Sequence, residues 1–264
     1  MAPLYLALPV SILVIGLLSG RSADKLTEGT EKTRQHLIVF AAASMGDVLT
    51  EIADSFYRKT GIKVQYNLAS SGTLARQIEQ GEIPDIYISA NERWMNYIDS
   101  MGYIAEGTKK EIAGNELVLI APAGSNFENC CIDSTLDLTS ISGTSYFSMG
   151  DPAHVPAGTY ARQSLQYFGW YNSIETFIIP AKDVRSALLA VELQEAQLGA
   201  VYRTDAIRSS KVKIIGTFPE RSHSPVSYMA GLCRKNDPAK DFFVFLESQV
   251  SVQIKEKYGF KHKL

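Results

Sequence analysis

The sequence predicts an α/β protein of two lobes, and three observations predict it. Short apolar runs alternate with stretches of helical periodicity. The alternation runs through twice, once before and once after a strand stopped by Pro122. The chain crosses between the two series near Glu116 and again near Pro225, which suits a hinge. On this reading lobe 1 comprises residues 36–116 plus 226–264, and lobe 2 comprises residues 117–225.

A polar leader, Thr27 to Gln35, precedes the first strand, Leu37 to Ala42. Met45, Val48, Leu49, Ile52 and Phe56 then fall on one helical face, and Gly61 ends that helix. Lys63 to Leu68 reads as a strand, Thr73 to Gln80 as a helix, and Asp85 to Ala90 as a strand before a helix around Trp94 and Tyr97. The second series opens on the apolar strand Glu116 to Ala121. It continues through Ser145 to Met149, Ala161 to Phe168, Val184 to Val191 and Leu198 to Tyr202. A strand at Ser227 to Leu232 and one terminal helix from Pro238 to about Tyr258 complete the chain.

With 264 residues and 45% hydrophobic content, each lobe can bury its own core. The net charge of -2 gives no basic excess, so a nucleic-acid partner is not expected. Met1 to Gly20 carries no charge, and its apolar run from Leu4 to Leu18 spans roughly 22 Å as a helix. That is short of a hydrocarbon core of roughly 30 Å, so residues 1–23 read as a signal peptide. Arg21 stands where a lipid-bearing cysteine would follow Leu18-Ser19-Gly20, which argues against a lipoprotein. Cys130 and Cys131 are adjacent and no paired CxxC exists, so no zinc site is expected. Cys233 either forms one disulfide after export or remains, like the others, a free thiol.

The strand-to-helix junctions are the places to look for a ligand site, because helix N-termini offer unpaired N–H groups beyond strand carboxyl ends. Five junctions share a character: Ala41 to Ser44, Ala69 to Thr73, Val155 to Gly158, Lys182 to Val184, and Val201 to Thr204. Most supply hydroxyls, small side chains and amides rather than cations. Ser44 followed by Asp47 resembles a capping box, so Ser44 taken alone reads as a helix cap. The run Ser70-Ser71-Gly72-Thr73 holds more hydroxyls than one cap needs and suits an anion cradle. Tyr202 and Val184, taken singly, read as core, and Arg76 and Arg185 as solvated or lobe-surface charges. A hydrolase using Ser44 or Ser71 with His154 or His223 is disfavoured, because no G-x-S-x-G elbow is present. Nucleotide-binding fingerprints are missing too, and no DNA-binding module precedes the first lobe.

Six motifs carry a family resemblance: VFAAAS (Val39 to Ser44), ASSGTLARQIEQG (Ala69 to Gly81), DIYISANERWM (Asp85 to Met95), GDPAHVPAGTYA (Gly150 to Ala161), DVRSAL (Asp183 to Leu188) and LGAVYRTDA (Leu198 to Ala206). Together, from about His36 to Phe260, the chain resembles the periplasmic molybdate-binding proteins of bacterial ABC transporters, which are type II solute-binding proteins. The resemblance implies a two-lobed periplasmic-binding-protein-like fold and no enzymatic activity or cofactor. It implies that Ser44 and Ser71 donate hydroxyls and amides, Ala157 and Val184 backbone amides, and Tyr202 its phenol O–H. The implied ligand is molybdate or tungstate, with molybdenum held only as the oxyanion. The implied partner is an ABC transporter permease, and the implied state an extracytoplasmic monomer. Gly72 departs from the pattern, since relatives can carry another serine there. A receptor for sulfate or phosphate on the same lobes is the alternative reading.

Overall fold

The computed structural model describes residues 36–138 and 145–262; the expected signal peptide and polar leader lie outside them. The chain begins with β1 (His36–Ala42), α1 (Gly46–Thr60), β2 (Lys63–Ala69), α2 (Ser71–Glu79), β3 (Ile86–Ser89), α3 (Glu92–Ser100) and β4 (Lys110–Gly114). A two-residue crossing leads to β5 (Leu117–Pro122), then β6 (Phe147–Gly150), α4 (Pro156–Tyr167) and the single turn α5 (Tyr171–Ile174). Next come β7 (Ile178–Ala181), α6 (Val184–Glu192), β8 (Leu198–Tyr202), α7 (Arg203–Ala206) and β9 (Val212–Thr217). The chain returns through β10 (Ser227–Leu232) and ends on α8 (Asp237–Phe245) and α9 (Gln249–Lys257).

The strands form two five-stranded sheets of one plan, in orders β2-β1-β3-β10-β4 and β7-β6-β8-β5-β9. In each, three parallel strands meet one antiparallel strand that is followed by an edge strand. Register decides where the junctions lie. Ala42 pairs with Ala69 at the ends of β1 and β2, so Ser44 and Ser71 each leave two residues beyond the same rung. Gly150 pairs with Ala181 at the ends of β6 and β7, which aligns the loops leading to Ala157 and Val184.

The expected face of α1 is its buried face: Met45, Val48, Leu49, Ile52 and Phe56 are all inaccessible. Phe56 meets Phe242 of α8 edge-on at 5.0 Å, which ties the first helix to the returning tail. Pro122 ends β5 as its last residue rather than lying beyond it. Strands β4, β7 and β9 carry no clear sequence signal because each is a short edge strand with polar or proline positions. Cys130, Cys131 and Cys233 are free thiols, with Cys131 exposed and the other two partly buried. Among the described residues no helix is long and apolar enough to cross a membrane.

The single terminal helix expected from Pro238 to Tyr258 is corrected to two. The break has a local cause: Ser248 caps α9 by accepting from the Ser251 N–H at 3.3 Å, and the Ser251 hydroxyl donates to the Phe245 carbonyl at 2.6 Å. Lys255, only 4% exposed, pins the break by donating to the carbonyls of Ile112 (2.6 Å) and Leu246 (3.0 Å). Burial lowers its ammonium to about 8, and a neutral amine still has hydrogens for both carbonyls.

Between about pH 8 and the unfolded value of 10.5, the unfolded chain therefore binds the proton that the folded chain releases. The stability contribution of Lys255 thus rises with pH across that window. Urea unfolding of the wild type and Lys255→Met should show a stability difference that moves in favour of the wild type from pH 7.5 to 10. A constant difference would mean that the amine does not titrate there.

Candidate functional site

Ser44 lies in a tight turn, Ala43–Met45, between β1 and α1, and is 3% exposed. The structure corrects the capping-box expectation. Ser44 makes no cap, and its Oγ lies 2.9 Å from the phenol oxygen of Tyr228. Asp47 turns away to Arg185 and Arg208 instead. In the second junction the roles of the serines divide. Ser70 is the cap of α2 and accepts from the Thr73 N–H at 3.2 Å. Ser71, fully buried, accepts from the Ala90 N–H at 2.9 Å, which leaves its own hydroxyl hydrogen to give.

Gly72 has a steric reason. A Cβ there would come within 2.6 Å of both the His154 carbonyl oxygen and the Trp94 ring, and the Gly72 N–H donates to that carbonyl at 3.0 Å. A serine would not fit beside Trp94 as it sits here. The GDPAHVPAGTYA motif builds a second close approach, because a Cβ on Gly158 would lie 1.8 Å from the Gly150 carbonyl oxygen. Pro156 occupies the first position of α4, where its missing N–H costs nothing, and the Ala157 N–H follows without an intrahelical partner. Asp183 caps α6 by accepting from the Ser186 N–H at 2.7 Å, and the Val184 N–H is left free of its own helix. Tyr202 ends β8 at 1% exposure, and its hydroxyl has no hydrogen-bond partner among the described residues.

All five residues, Ser44, Ser71, Ala157, Val184 and Tyr202, line one cavity, together with Ala42, Ala43, Ala69, Ser70, Ala90, Val155, Pro156 and Asp183. Its volume is about 10 Å³, on the scale of one small body and far from the several hundred Å³ a large organic ligand fills. No lysine, arginine or histidine is among these residues, and the one carboxylate, Asp183, is engaged as a cap. With the Ser70 hydroxyl engaged as a cap, the polar complement is the hydroxyls of Ser44 and Ser71, the Tyr202 phenol and the first N–H groups of three helices, α2, α4 and α6. Helix N-termini carry partial positive charge, so the arrangement suits an anion without a cation. Burial drives the Tyr202 phenol well above its ordinary pKa and keeps it a neutral donor.

Beside the cavity, residues carried by the two sheets grip one another. Arg185 of α6 pairs with Asp47 of α1 at 2.8 Å and with the fully buried Asp205 at 2.6 Å, and Arg208 joins Asp47 at 3.1 Å. Arg185 is therefore not a solvated charge. Burial pushes the Asp205 carboxyl up to about 7, against the opposing pull of Arg185. The Tyr160 hydroxyl donates to the Ala90 carbonyl at 3.3 Å, and the Gly72 to His154 bond closes the far side. No serine–histidine pair forms at the cavity. His154 lies 3.7 Å from Asp151, and Nδ1 of His223 meets the Ser224 carbonyl at 2.7 Å. A hydrolytic base for Ser44 or Ser71 is thus missing among the described residues.

Two α/β sheets with a crevice at their strand ends, lined by donors from both, define a two-lobed ligand-capturing protein rather than an enzyme. The chain belongs to the bacterial extracellular solute-binding protein family, whose model matches residues 37–261. It is 41% identical to the molybdate-binding protein ModA of Escherichia coli (strain K12) over 229 residues, covering 86% of this chain and 89% of that protein. A substrate-binding domain of a putative molybdenum ABC transporter from Clostridium difficile superposes with a TM-score of 0.66 at 30% identity, covering 87% of this chain and 99% of that one. The periplasmic molybdate-binding protein of Azotobacter vinelandii shares the fold at a TM-score of 0.75 and 22% identity, covering 86% of this chain and 100% of that one.

The Asp47 grip is partly exposed, so it is worth about 0.5–1 kcal/mol rather than the strength of a buried pair. Asp47→Ala should shift the ligand-free protein toward a more open arrangement, read as a larger radius of gyration in X-ray scattering. An unchanged profile would assign closure to the backbone contacts alone.

Proposed function

We propose that this chain captures molybdate, and the isostructural tungstate, between its two lobes and delivers it to the permease of an ABC importer. The oxyanion is held by Ser44, Ser71, Ala157, Val184 and Tyr202. The lobes comprise residues 36–116 plus 226–264 and residues 117–225, and residues 1–23 are a signal peptide that directs the chain out of the cytoplasm, where it acts as a monomer. The membership of the strands in two sheets supports this division.

The observation that carries the reading is Tyr202. Its fully buried hydroxyl has no partner among the described residues, and it faces the same small void as Ser44 and Ser71. An unpaired buried hydroxyl costs free energy, which a ligand oxygen recovers. Bonds to an ionised partner contribute roughly 1.5–3 kcal/mol each, and micromolar binding needs about 8 kcal/mol. Roughly five to eight neutral donors meet that demand after desolvation and lobe closure are subtracted. A lining of donors also favours a fully deprotonated oxyanion over hydrogen phosphate, whose O–H would face another hydrogen. The 41% identical relative named for molybdate binding and the 30% identical domain named for a molybdenum transporter support molybdate over sulfate on the same fold.

Calorimetric titration of residues 24–264 with molybdate, tungstate, sulfate and phosphate in matched buffer tests the ligand. One-to-one binding of molybdate with sulfate and phosphate weak is the expected result; a preference for sulfate or phosphate overturns the named ligand. Tyr202→Phe separates function from structure. It should weaken molybdate roughly 10- to 150-fold, equivalent to one charge-assisted bond, while the melting temperature without ligand does not fall. Equal affinity in the variant would remove Tyr202 from the site.

A further inference from the structure

Tyr228 and Asn115 touch no wall of the cavity, yet both are buried, at 0% and 7% exposure, directly behind Ser44. Tyr228 sits on β10, the strand that returns from the second sheet, and Asn115 lies on the short crossing that leaves the first. Their hydrogen bonds have a direction that can be worked out atom by atom. The Asn115 Oδ1 accepts from the Glu116 N–H at 2.8 Å, which fixes the amide so that Nδ2 faces the other way. Nδ2 then donates to Thr204 Oγ1 at 2.8 Å and to the Tyr228 phenol oxygen at 3.2 Å.

Among the described residues the phenol oxygen has two hydrogen-bonding neighbours, Asn115 Nδ2 and Ser44 Oγ, and the amide nitrogen cannot accept. The single phenol hydrogen therefore goes to Ser44 Oγ at 2.9 Å. Burial keeps that phenol protonated. Ser44 becomes the acceptor of the pair, and its own hydroxyl hydrogen is the one left over for the cavity. Ser71 reaches the same state by a different route, by accepting from a backbone N–H.

We infer that Tyr228 and Asn115 are positioning residues that set the proton order of the chain Asn115–Tyr228–Ser44, committing the Ser44 hydroxyl to donate toward a bound oxyanion. The inference rests on the ligand reading above and deepens it. Without the phenol, Ser44 can rotate and present a lone pair to the anion, or turn its hydrogen to another acceptor. Because Asn115 also holds Thr204 of α7, the proton order is tied to the segment that joins the two sheets.

A double-mutant cycle with molybdate tests it. Ser44→Ala is expected to weaken binding, and Tyr228→Phe alone to weaken it roughly five- to thirtyfold, while in the Ser44→Ala background Tyr228→Phe changes affinity less than about twofold. A role in packing alone would give the same loss in both backgrounds, and that result overturns the inference, as does unchanged affinity of Tyr228→Phe in the wild type. Asn115→Asp supplies a second cycle, because a carboxylate accepts the phenol hydrogen and forces Ser44 to donate to Tyr228. Its loss of affinity should likewise shrink when Ser44 is alanine; the added charge acts in both backgrounds and cancels. If Ser44→Ala itself binds molybdate as tightly as the wild type, Ser44 is no ligand and the inference falls with it. Failure of the wild type to bind molybdate while it binds another oxyanion overturns the ligand alone, and the same cycle is then read with that anion.

Discussion

The first N–H groups of a helix have no partner within their own turn, and here three helices begin at one small void. Much of the surrounding structure follows from that arrangement. The matched rungs that end β1 with β2 and β6 with β7 bring the junctions level. The bare Cα of Gly158 lets α4 start hard against β6, and Pro156 contributes no N–H of its own. The caps are Ser70 and Asp183, each one residue before the helix, so that the capping groups consume the inner amides and leave those of Ser71 and Val184 free. A cation in the cavity would bind an anion more simply, but it would also attract any anion. Neutral donors at fixed points discriminate by the number and placement of acceptor oxygens.

Much of this was legible in the sequence, because strand and helix periods differ and the junctions are rich in serine, glycine and alanine. The α1 face from Met45 to Phe56 and the five junctions needed only local pattern. What local pattern could not give was partner choice. Ser44 with Asp47 has the spacing of a capping box, yet the serine finds Tyr228 and the aspartate finds two arginines from the other sheet. Asn115 has no sequence signal, since a lone asparagine at a crossing reads as a turn residue, and the motif that holds Thr204 and Asp205 does not say that one meets Asn115 and the other Arg185. The terminal helix failed as a single element because Ser248 and Ser251 compete for backbone groups that a continuous helix would use.

The contacts that hold the two sheets together around the cavity are of two kinds with different physical behaviour. The Asp47 grip on Arg185 and Arg208 is ionic and partly exposed, so it weakens as salt screens it. The Gly72 to His154 bond and the Tyr160 bond to the Ala90 carbonyl are short-range and neutral, and salt leaves them alone. Closure thus rests on a neutral inner contact and an ionic outer one. The buried Asp205 lies under the ionic side, 2.6 Å from the Arg185 guanidinium that also meets Asp47.

The strand order has a consequence for how the molecule is made. Strand β10 lies between β3 and β4, and β4 pairs with no other strand. The first sheet therefore stays incomplete, with the edge of β3 bare and β4 unattached, until the chain has passed through all of β5 to β9. The second sheet draws every strand from one unbroken stretch, Leu117 to Thr217, and needs nothing from outside it. Assembly is thus ordered by topology: the segment made later closes first, and the earlier one waits with an open apolar edge. A chaperone that shields the emerging chain would find its longest-lived target on β3.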